Sequence, residues 1–118
     1  MTLKRSRATA PVRIVHIGAG AFFKAHQAWY TSSVDGNNEW GIAAFSGRSS
    51  QTIDELNAQD CVYTLIARDA HKEDVQQIES ITSAFDGSDE VNFSKFMKDP
   101  KVTIVTITVT EAGYRITN

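Results

Sequence analysis

One run constrains this chain more than any other: Val12-Arg13-Ile14-Val15-His16-Ile17-Gly18-Ala19-Gly20-Ala21-Phe22-Phe23. Val12 to Ile17 is a short apolar stretch suited to a central parallel strand. Gly18 permits a tight turn after it. Gly20, lacking a Cβ, leaves room for a pyrophosphate to approach the backbone. The N–H groups of a helix that follows would face those phosphates. A dinucleotide-binding fold begins in this way. The third glycine of the usual pattern would stand at position 23, and this chain has Phe23 there. On spacing alone the motif is partial, and a strand ending in a glycine turn without any ligand stays open as the alternative.

The chain has 118 residues, 42% of them hydrophobic, which suffices for one modest core and not for two domains. A net charge of −2 supplies no basic surface, so neither nucleic acid nor an anionic membrane is expected as a partner. No apolar run approaches the roughly 20 residues that span a bilayer. Lys4, Arg5 and Arg7 are followed by no apolar stretch, so residues 1–11 read as a flexible tail and not as a secretory signal; a short organelle-targeting tail is the alternative. Cys61 is the single cysteine. It can form no intramolecular disulfide and no metal cluster, it suits a reducing cytoplasm, and its apolar neighbours make it a small core residue.

Further along, Ala21 to about Ser33 has helical spacing, with Phe22, Ala25, Trp29 and Tyr30 on its apolar face. Asp35-Gly36-Asn37-Asn38 stops it. Trp40 to Phe45 reads as a second strand, and Ser46-Gly47-Arg48-Ser49-Ser50 as the loop beyond. Ser49 or Ser50 would cap a short helix that turns Ile53 and Leu56 inward. Cys61–Ala67 and Val75–Ile81 are expected to form a hairpin turning through Asp69-Ala70-His71-Lys72. Phe85 to Asp89 is read as a loop and Val91 to Met97 as a helix, with Phe93, Phe96 and Met97 on one side and Pro100 just past its end. Val102 to Val109 is almost entirely β-branched, the pattern of a strand buried on both faces.

The order strand, helix, strand, helix, hairpin, helix, strand implies an α/β class: a mostly parallel sheet with flanking helices and a β-hairpin insertion. A dinucleotide fold has two mononucleotide halves. Residues 12–118 supply one half, the hairpin, and the first strand of the other half. The chain is therefore expected to be the N-terminal part of a longer domain.

Four stretches carry a family resemblance. Gly18-Ala19-Gly20-Ala21-Phe22-Phe23-Lys24-Ala25-His26-Gln27-Ala28 resembles the G-x-G-x-F-H-R-A-H-Q-A segment of the polyol-specific long-chain dehydrogenases, the family of mannitol dehydrogenase and fructuronate or tagaturonate reductase. Trp40-Gly41-Ile42 and Gly47-Arg48-Ser49 are similar to its W-x-I and L-R-S. Ala58-Gln59-Asp60-Cys61-Val62-Tyr63-Thr64-Leu65 resembles its A-x-Q-D-x-x-Y-T-L. Ile104-Val105-Thr106-Ile107-Thr108-Val109-Thr110-Glu111-Ala112-Gly113-Tyr114 resembles its I-V-S-x-T-V-T-E-x-G-Y. The matches are collinear and span residues 12 to 116.

The resemblance implies a nucleotide-binding domain, followed in the family by a mostly helical substrate domain that this chain lacks. It implies reversible oxidation of a sugar alcohol, or reduction of a keto-sugar acid, with NAD or NADP and no metal. The cofactor-binding residues it implies are Gly18, Ala19, Gly20, Ala21, Phe22, Phe23, Lys24, Arg48, Ser49, Thr108, Val109 and Thr110. The family's lysine base lies in a K-x-x-x-x-N-x-x-H motif. Here Lys72 is followed five residues on by Gln77 and Lys95 by Pro100, so no catalytic residue carries over. Part of a cofactor site without a competent active site is expected.

Phe23-Lys24 replaces the family's His-Arg, which keeps a positive charge but loses bidentate geometry. An acid that reads the adenosine ribose would stand after the second strand. Glu39 stands before it, at the wrong end. Some NAD-using relatives carry an acidic pair where this chain has Ser50 and Gln51; its absence removes an electrostatic bar to a 2′-phosphate, and cofactor choice stays open between NAD and NADP.

Other polar residues have plainer readings. His16 is expected as a packed or hydrogen-bonded core histidine, His26 as a helix histidine bonded to backbone, and His71 as solvated. Trp29 and Tyr30 read as core or interface. Asp86, Asp89 and Glu90 read as solvating and capping residues, and Asp54 and Glu55 as an exposed helix face. Glu111 is either a surface acid or an orienting group at the crevice. Two rival functions remain: a non-catalytic nucleotide-binding or interaction module that self-associates through an exposed sheet edge, and a methyltransferase with a similar glycine turn, against which the T-V-T-E-x-G-Y match argues.

Overall fold

The protein is described by a computed structural model that covers residues 4–47, 49–68 and 70–109. Among these residues six strands and four helices follow in the order β1 (Val12–Ile17), α1 (Ala21–Ala25), α2 (Gln27–Val34), β2 (Gly41–Phe45), α3 (Gln51–Ala58), β3 (Tyr63–Arg68), β4 (Glu73–Ile78), β5 (Ile81–Phe85), α4 (Glu90–Met97) and β6 (Ile104–Ile107). Four strands form one sheet in the order β5-β2-β1-β6, every neighbouring pair parallel. β3 and β4 form a separate antiparallel hairpin, with Tyr63 opposite Ile78 and Arg68 opposite Glu73. The fold is α/β, a mostly parallel Rossmann-like sheet with flanking helices and a hairpin insertion.

The period of two in the strands sorts side chains to two faces. Ile14, Ile42 and Ala44 pack with Phe23, Ala28, Ile53 and Leu56 in the larger core. Val15, Ala43 and Phe45 face the other way, against Phe85, Phe93 and Phe96. The α1–α2 pair and α3 thus cover one face and α4 the other. Asp89 caps α4 by accepting from Asn92 N at 3.1 Å. Ile53 and Leu56 point inward as their spacing requires. Buried Asp35 ends α2 and accepts from Glu39 N and Trp40 N, both at 2.8 Å, which sets the entry into β2.

Three expectations need correction. The first helix is two, broken at His26 (φ −118°, ψ −81°). The break changes the inward face: Phe23 and Ala28 are buried, whereas Phe22 and Tyr30 are 66% and 59% exposed. Second, Ile81–Phe85 is neither the end of the hairpin nor a loop. It is β5, a parallel partner of β2, and its apolar residues follow the hairpin so closely that the sequence reads as one continuous run. Third, β6 is shorter than the Val102–Val109 pattern, and Ile104, Val105 and Ile107 are 41%, 51% and 63% exposed. Among the described residues it pairs with β1 alone and is the outer strand of the sheet.

Residues 4–10 adopt no helix or strand, yet they contact the strands. Arg5 donates to the Glu79 and Ile81 carbonyls, and Ser6 donates through both N and Oγ to the Glu79 carboxylate. Burial alone would raise the Glu79 pKa; the bonds from Ser6, with those from Gln77 and Arg7, outweigh it and hold the carboxyl below its ordinary value. Cys61 is buried with φ +60° just before β3, and burial pushes its thiol up to about 11.

Candidate nucleotide-binding site

The carboxyl ends of the four parallel strands lie along one edge and are tied together by backbone bonds. Thr108 N donates to Ile17 O at 3.0 Å, Gly18 N and Ala19 N to Phe45 O at 2.9 and 3.0 Å, and Ser46 N to Phe85 O at 3.0 Å. Gly18 has φ +93°, a conformation that L side chains rarely adopt. A Cβ there would also stand 3.3 Å from the Thr108 carbonyl oxygen. The positive φ sets glycine at position 18, and the tight approach to Thr108 adds to it. A Cβ added at Gly20 would meet nothing within 4 Å, so the space before this backbone is open to a ligand. Gly20 leads into α1, whose first-turn N–H groups have no acceptor inside the helix.

The strand order reverses between β1 and β6, which makes that crevice the topological switch point. A cavity of about 290 Å³ opens there, lined by His16, Phe22, Phe23, Gln27, Thr108 and Val109. A second, of about 190 Å³, lies on the α4 side against Ile17, Phe45, Gly87 and Phe93. The two flank the glycine turn.

Of the residues expected at the cofactor, Gly18 to Phe23 gather at this edge with Thr108 and Val109. Phe23 faces inward, stacked on His16 at 3.8 Å with planes 3° apart. Phe22 stands outside and stacks on His26, whose Nδ1 lies 2.8 Å from the Phe22 carbonyl. Lys24 turns toward the hairpin: its Nζ sits 4.7 Å over the Tyr63 ring, and the Tyr63 hydroxyl donates to the Lys24 carbonyl at 2.6 Å. Ser49 lies in the exposed loop after β2 and accepts from Gln51 N at 3.2 Å. Glu39 is at the opposite end of β2, beside Asp35. Arg48, Thr110 and Glu111 lie outside the described residues, as does Asp69 of the hairpin turn.

Sequence reasoning missed two parts of the site. Gly87 follows β5 and fits against the second loop: its N–H donates to Ser46 Oγ at 2.8 Å, and a Cβ there would overlap the Ser46 carbonyl oxygen. The Asp-Gly pair directly after Phe85 is the available clue, hidden because the sequence shows no separate strand between Ile81 and Phe85. The other is the polar link from His16, Gln27 and Thr106 to Thr108, which the sequence names without these partners. Burial pulls the His16 pKa down to about 4, only partly opposed by a backbone hydrogen bond with Gly18, so the ring is neutral at pH 7.

A parallel sheet with a glycine turn after its first strand, a hairpin insertion, and an open crevice where the strand order reverses defines a dinucleotide-binding domain of the Rossmann type. The family model described as the mannitol dehydrogenase Rossmann domain matches residues 12–118, and the chain belongs to that family. It is 35% identical over 111 residues to D-mannonate oxidoreductase of Escherichia coli (strain K12), covering 86% of this chain and 22% of that protein. It is 34% identical over 110 residues to Polyol:NADP oxidoreductase of Gluconobacter oxydans (strain 621H), covering 87% and 23%. The fold matches Pseudomonas fluorescens mannitol 2-dehydrogenase, solved as a ternary complex with NAD and D-mannitol, with a TM-score of 0.77 and 34% identity over 89% of this chain and 23% of that one. The chain thus spans about a quarter of the length of these relatives. No helix among the described residues is long and apolar enough to cross a membrane.

Proposed function

We propose that this chain is the N-terminal cofactor-binding segment of an oxidoreductase that interconverts a sugar alcohol, or a hydroxy sugar acid, and its keto form with NAD or NADP. The observation that carries the reading is the glycine turn: Gly18 at φ +93° closed onto the Phe45 carbonyl, directly beside the crevice between β1 and β6. Both cofactors stay within the reading, because one relative is described by NADP and a structural neighbour holds NAD.

The residues present fit a dinucleotide. Gly18, Ala19 and Gly20 give the pyrophosphate a backbone without side-chain obstruction, and the first turn of α1 offers it N–H groups. Ser49, with Arg48, would lie toward the adenosine ribose after β2. Thr108 and Val109, with Thr110 after them, would border the nicotinamide half. The nicotinamide ring, when bound, supplies or accepts the hydride. This chain binds and orients the cofactor; the base and the substrate pocket belong to the remaining length of such an enzyme. Free, buried Cys61 suits a cytoplasmic setting.

The test is titration of NAD⁺ and NADP⁺ into the ¹⁵N-labelled chain. Resonances of Gly18 to Phe22, Ser46 to Ser50 and Thr108 to Val109 should shift, with weak affinity. Shifts absent from all three segments at millimolar cofactor would sink the reading. The exposed Val105 and Ile107 on β6 favour a second one, association of this chain through its sheet edge. Sedimentation that stays monomeric at high concentration would remove it.

A further inference from the structure

The crevice between β1 and β6 is floored by four polar side chains in a line. Gln27 Nε2, from α2, donates to Thr106 Oγ1 at 2.9 Å. Thr106 Oγ1, on β6, lies 2.8 Å from His16 Nδ1 on β1. Across the ring, His16 Nε2 lies 3.0 Å from Thr108 Oγ1. Phe23 stacks flat on the ring and fixes its plane. The line thus begins on α2 and ends at Thr108, beside Gly18. The turn itself is closed by backbone bonds from Gly18 N and Ala19 N to Phe45 O.

The line has a direction. A neutral imidazole carries one N–H and one bare nitrogen. Thr106 Oγ1 accepts from Gln27 and keeps one proton to give, and Nδ1 stands within reach of it. With that proton given to Nδ1, the ring proton stands on Nε2, facing Thr108. Thr108 Oγ1 then accepts from Nε2, and its own proton is left for an acceptor in the crevice.

We propose that Gln27, Thr106 and His16 form a directed hydrogen-bond chain that sets the Thr108 hydroxyl as a donor to an acceptor oxygen on the nicotinamide half of the dinucleotide. The three are positioning residues, and the proposal rests on the cofactor reading above. The nicotinamide half is chosen because β6 opens the second mononucleotide unit, whereas the adenosine ribose belongs beyond β2.

The test has two arms on the full chain. Long-range ¹H–¹⁵N spectra of the His16 ring should show the proton on Nε2; a proton on Nδ1 overturns the proposal. In the second arm, NAD⁺ and AMP are titrated separately into wild type, Thr106→Val and Thr106→Ser. Thr106→Val should weaken NAD⁺ about 5- to 10-fold, the size of one neutral hydrogen bond. It should leave AMP unchanged, and Thr106→Ser should restore NAD⁺ binding. Equal weakening of both ligands, or unchanged NAD⁺ affinity, overturns the chain as a positioning device. If neither ligand shifts Gly18 to Phe22 in wild type, the cofactor reading itself fails, and this inference with it. Normal NAD⁺ shifts beside a ring protonated on Nδ1 would sink the inference alone.

Discussion

β2 and β6 both flank β1 in the same parallel sheet, and both are short and apolar. Every residue of Gly41–Phe45 is buried. In Ile104–Ile107 three of the four side chains are exposed, Ile107 by 63%. The backbone bonding to β1 is alike, each strand holding its register along Ile14 to Ile17. The difference is cover. β2 has a strand on each side and helices over both faces, whereas β6 has β1 alone among the described strands. Pairing makes a strand, and only neighbours on its faces and outer edge bury it. Full burial of a Val or Ile side chain is worth about 1.5–3 kcal/mol, and β6 leaves much of that unrealised.

Phe45→Ala gives the largest contrast. Phe45 is 1% exposed and contacts the Phe85, Phe93 and Phe96 rings. The truncation should cost about 3–5 kcal/mol in urea denaturation, or leave the chain unfolded. A loss below about 1 kcal/mol would mean that β2 is not the centre of the core.

The protonation of His16 should produce the next effect, at the β1–β6 junction. The unfolded chain takes up a proton near pH 6.5 that the folded ring resists down to about pH 4. Stability should therefore fall as pH drops from 6.5 toward 4. Between pH 7 and 5 this group alone should remove on the order of 2 kcal/mol. Urea midpoints for wild type and His16→Gln test it: the pH slope across this window should flatten in the variant. An unchanged slope would show that the junction does not bury the ring as described.

Gly87→Ala probes how tightly β5 closes the site edge. The new Cβ would overlap the Ser46 carbonyl, so a loss of about 1–3 kcal/mol is expected, by the scale of overpacking. Thermal unfolding measures it, and a neutral result would show the two loops free to part.

Cofactor choice comes next. Gln51, the first residue of α3, is exposed, and its side chain reaches Glu55 Oε1 at 3.2 Å. In an active enzyme carrying this segment, Gln51→Asp should favour NAD over NADP by about 1–3 kcal/mol, since a carboxylate accepts from a 2′-hydroxyl and repels a phosphate. The ratio of kcat/KM for the two cofactors decides. If it does not move, the loop after β2 does not read the ribose.

The smallest effect belongs to β6. Ile107→Ala should change the stability of this chain by less than about 0.5 kcal/mol, against several for Phe45→Ala. A large loss would place hidden cover over β6 and erase the contrast between the strands.

Much of this arrangement was legible before any coordinates. Gly18 was readable because one backbone turn has one tolerant residue. β1, β2 and α4 were readable because each carries a clean period or cap. The hairpin was found, with edges shifted by one to three residues. β5 was not found: only Glu79 and Ser80 separate Ile78 from Ile81, and no glycine, proline or asparagine marks the end of the antiparallel strand before the parallel one. The inward turn of Phe23 was also hidden, because the break at His26 rotates the helical frame. For the site, the glycine turn and the Thr108 segment were legible through the family pattern. The role of Gln27, Thr106 and Gly87 was not, since each acts through a neighbour distant in sequence.

The sequence by itself determined the α/β class, the glycine turn and the family, because these rest on local backbone needs and on residues adjacent in the chain. Tertiary structure alone decided that β5 joins the parallel sheet and that β6 stands exposed among the described residues. It also decided that His16 bridges Thr106 and Thr108 across 90 and 92 residues of chain. Those outcomes depend on which surfaces meet in space, and an apolar or polar side chain states its need for a partner without naming it.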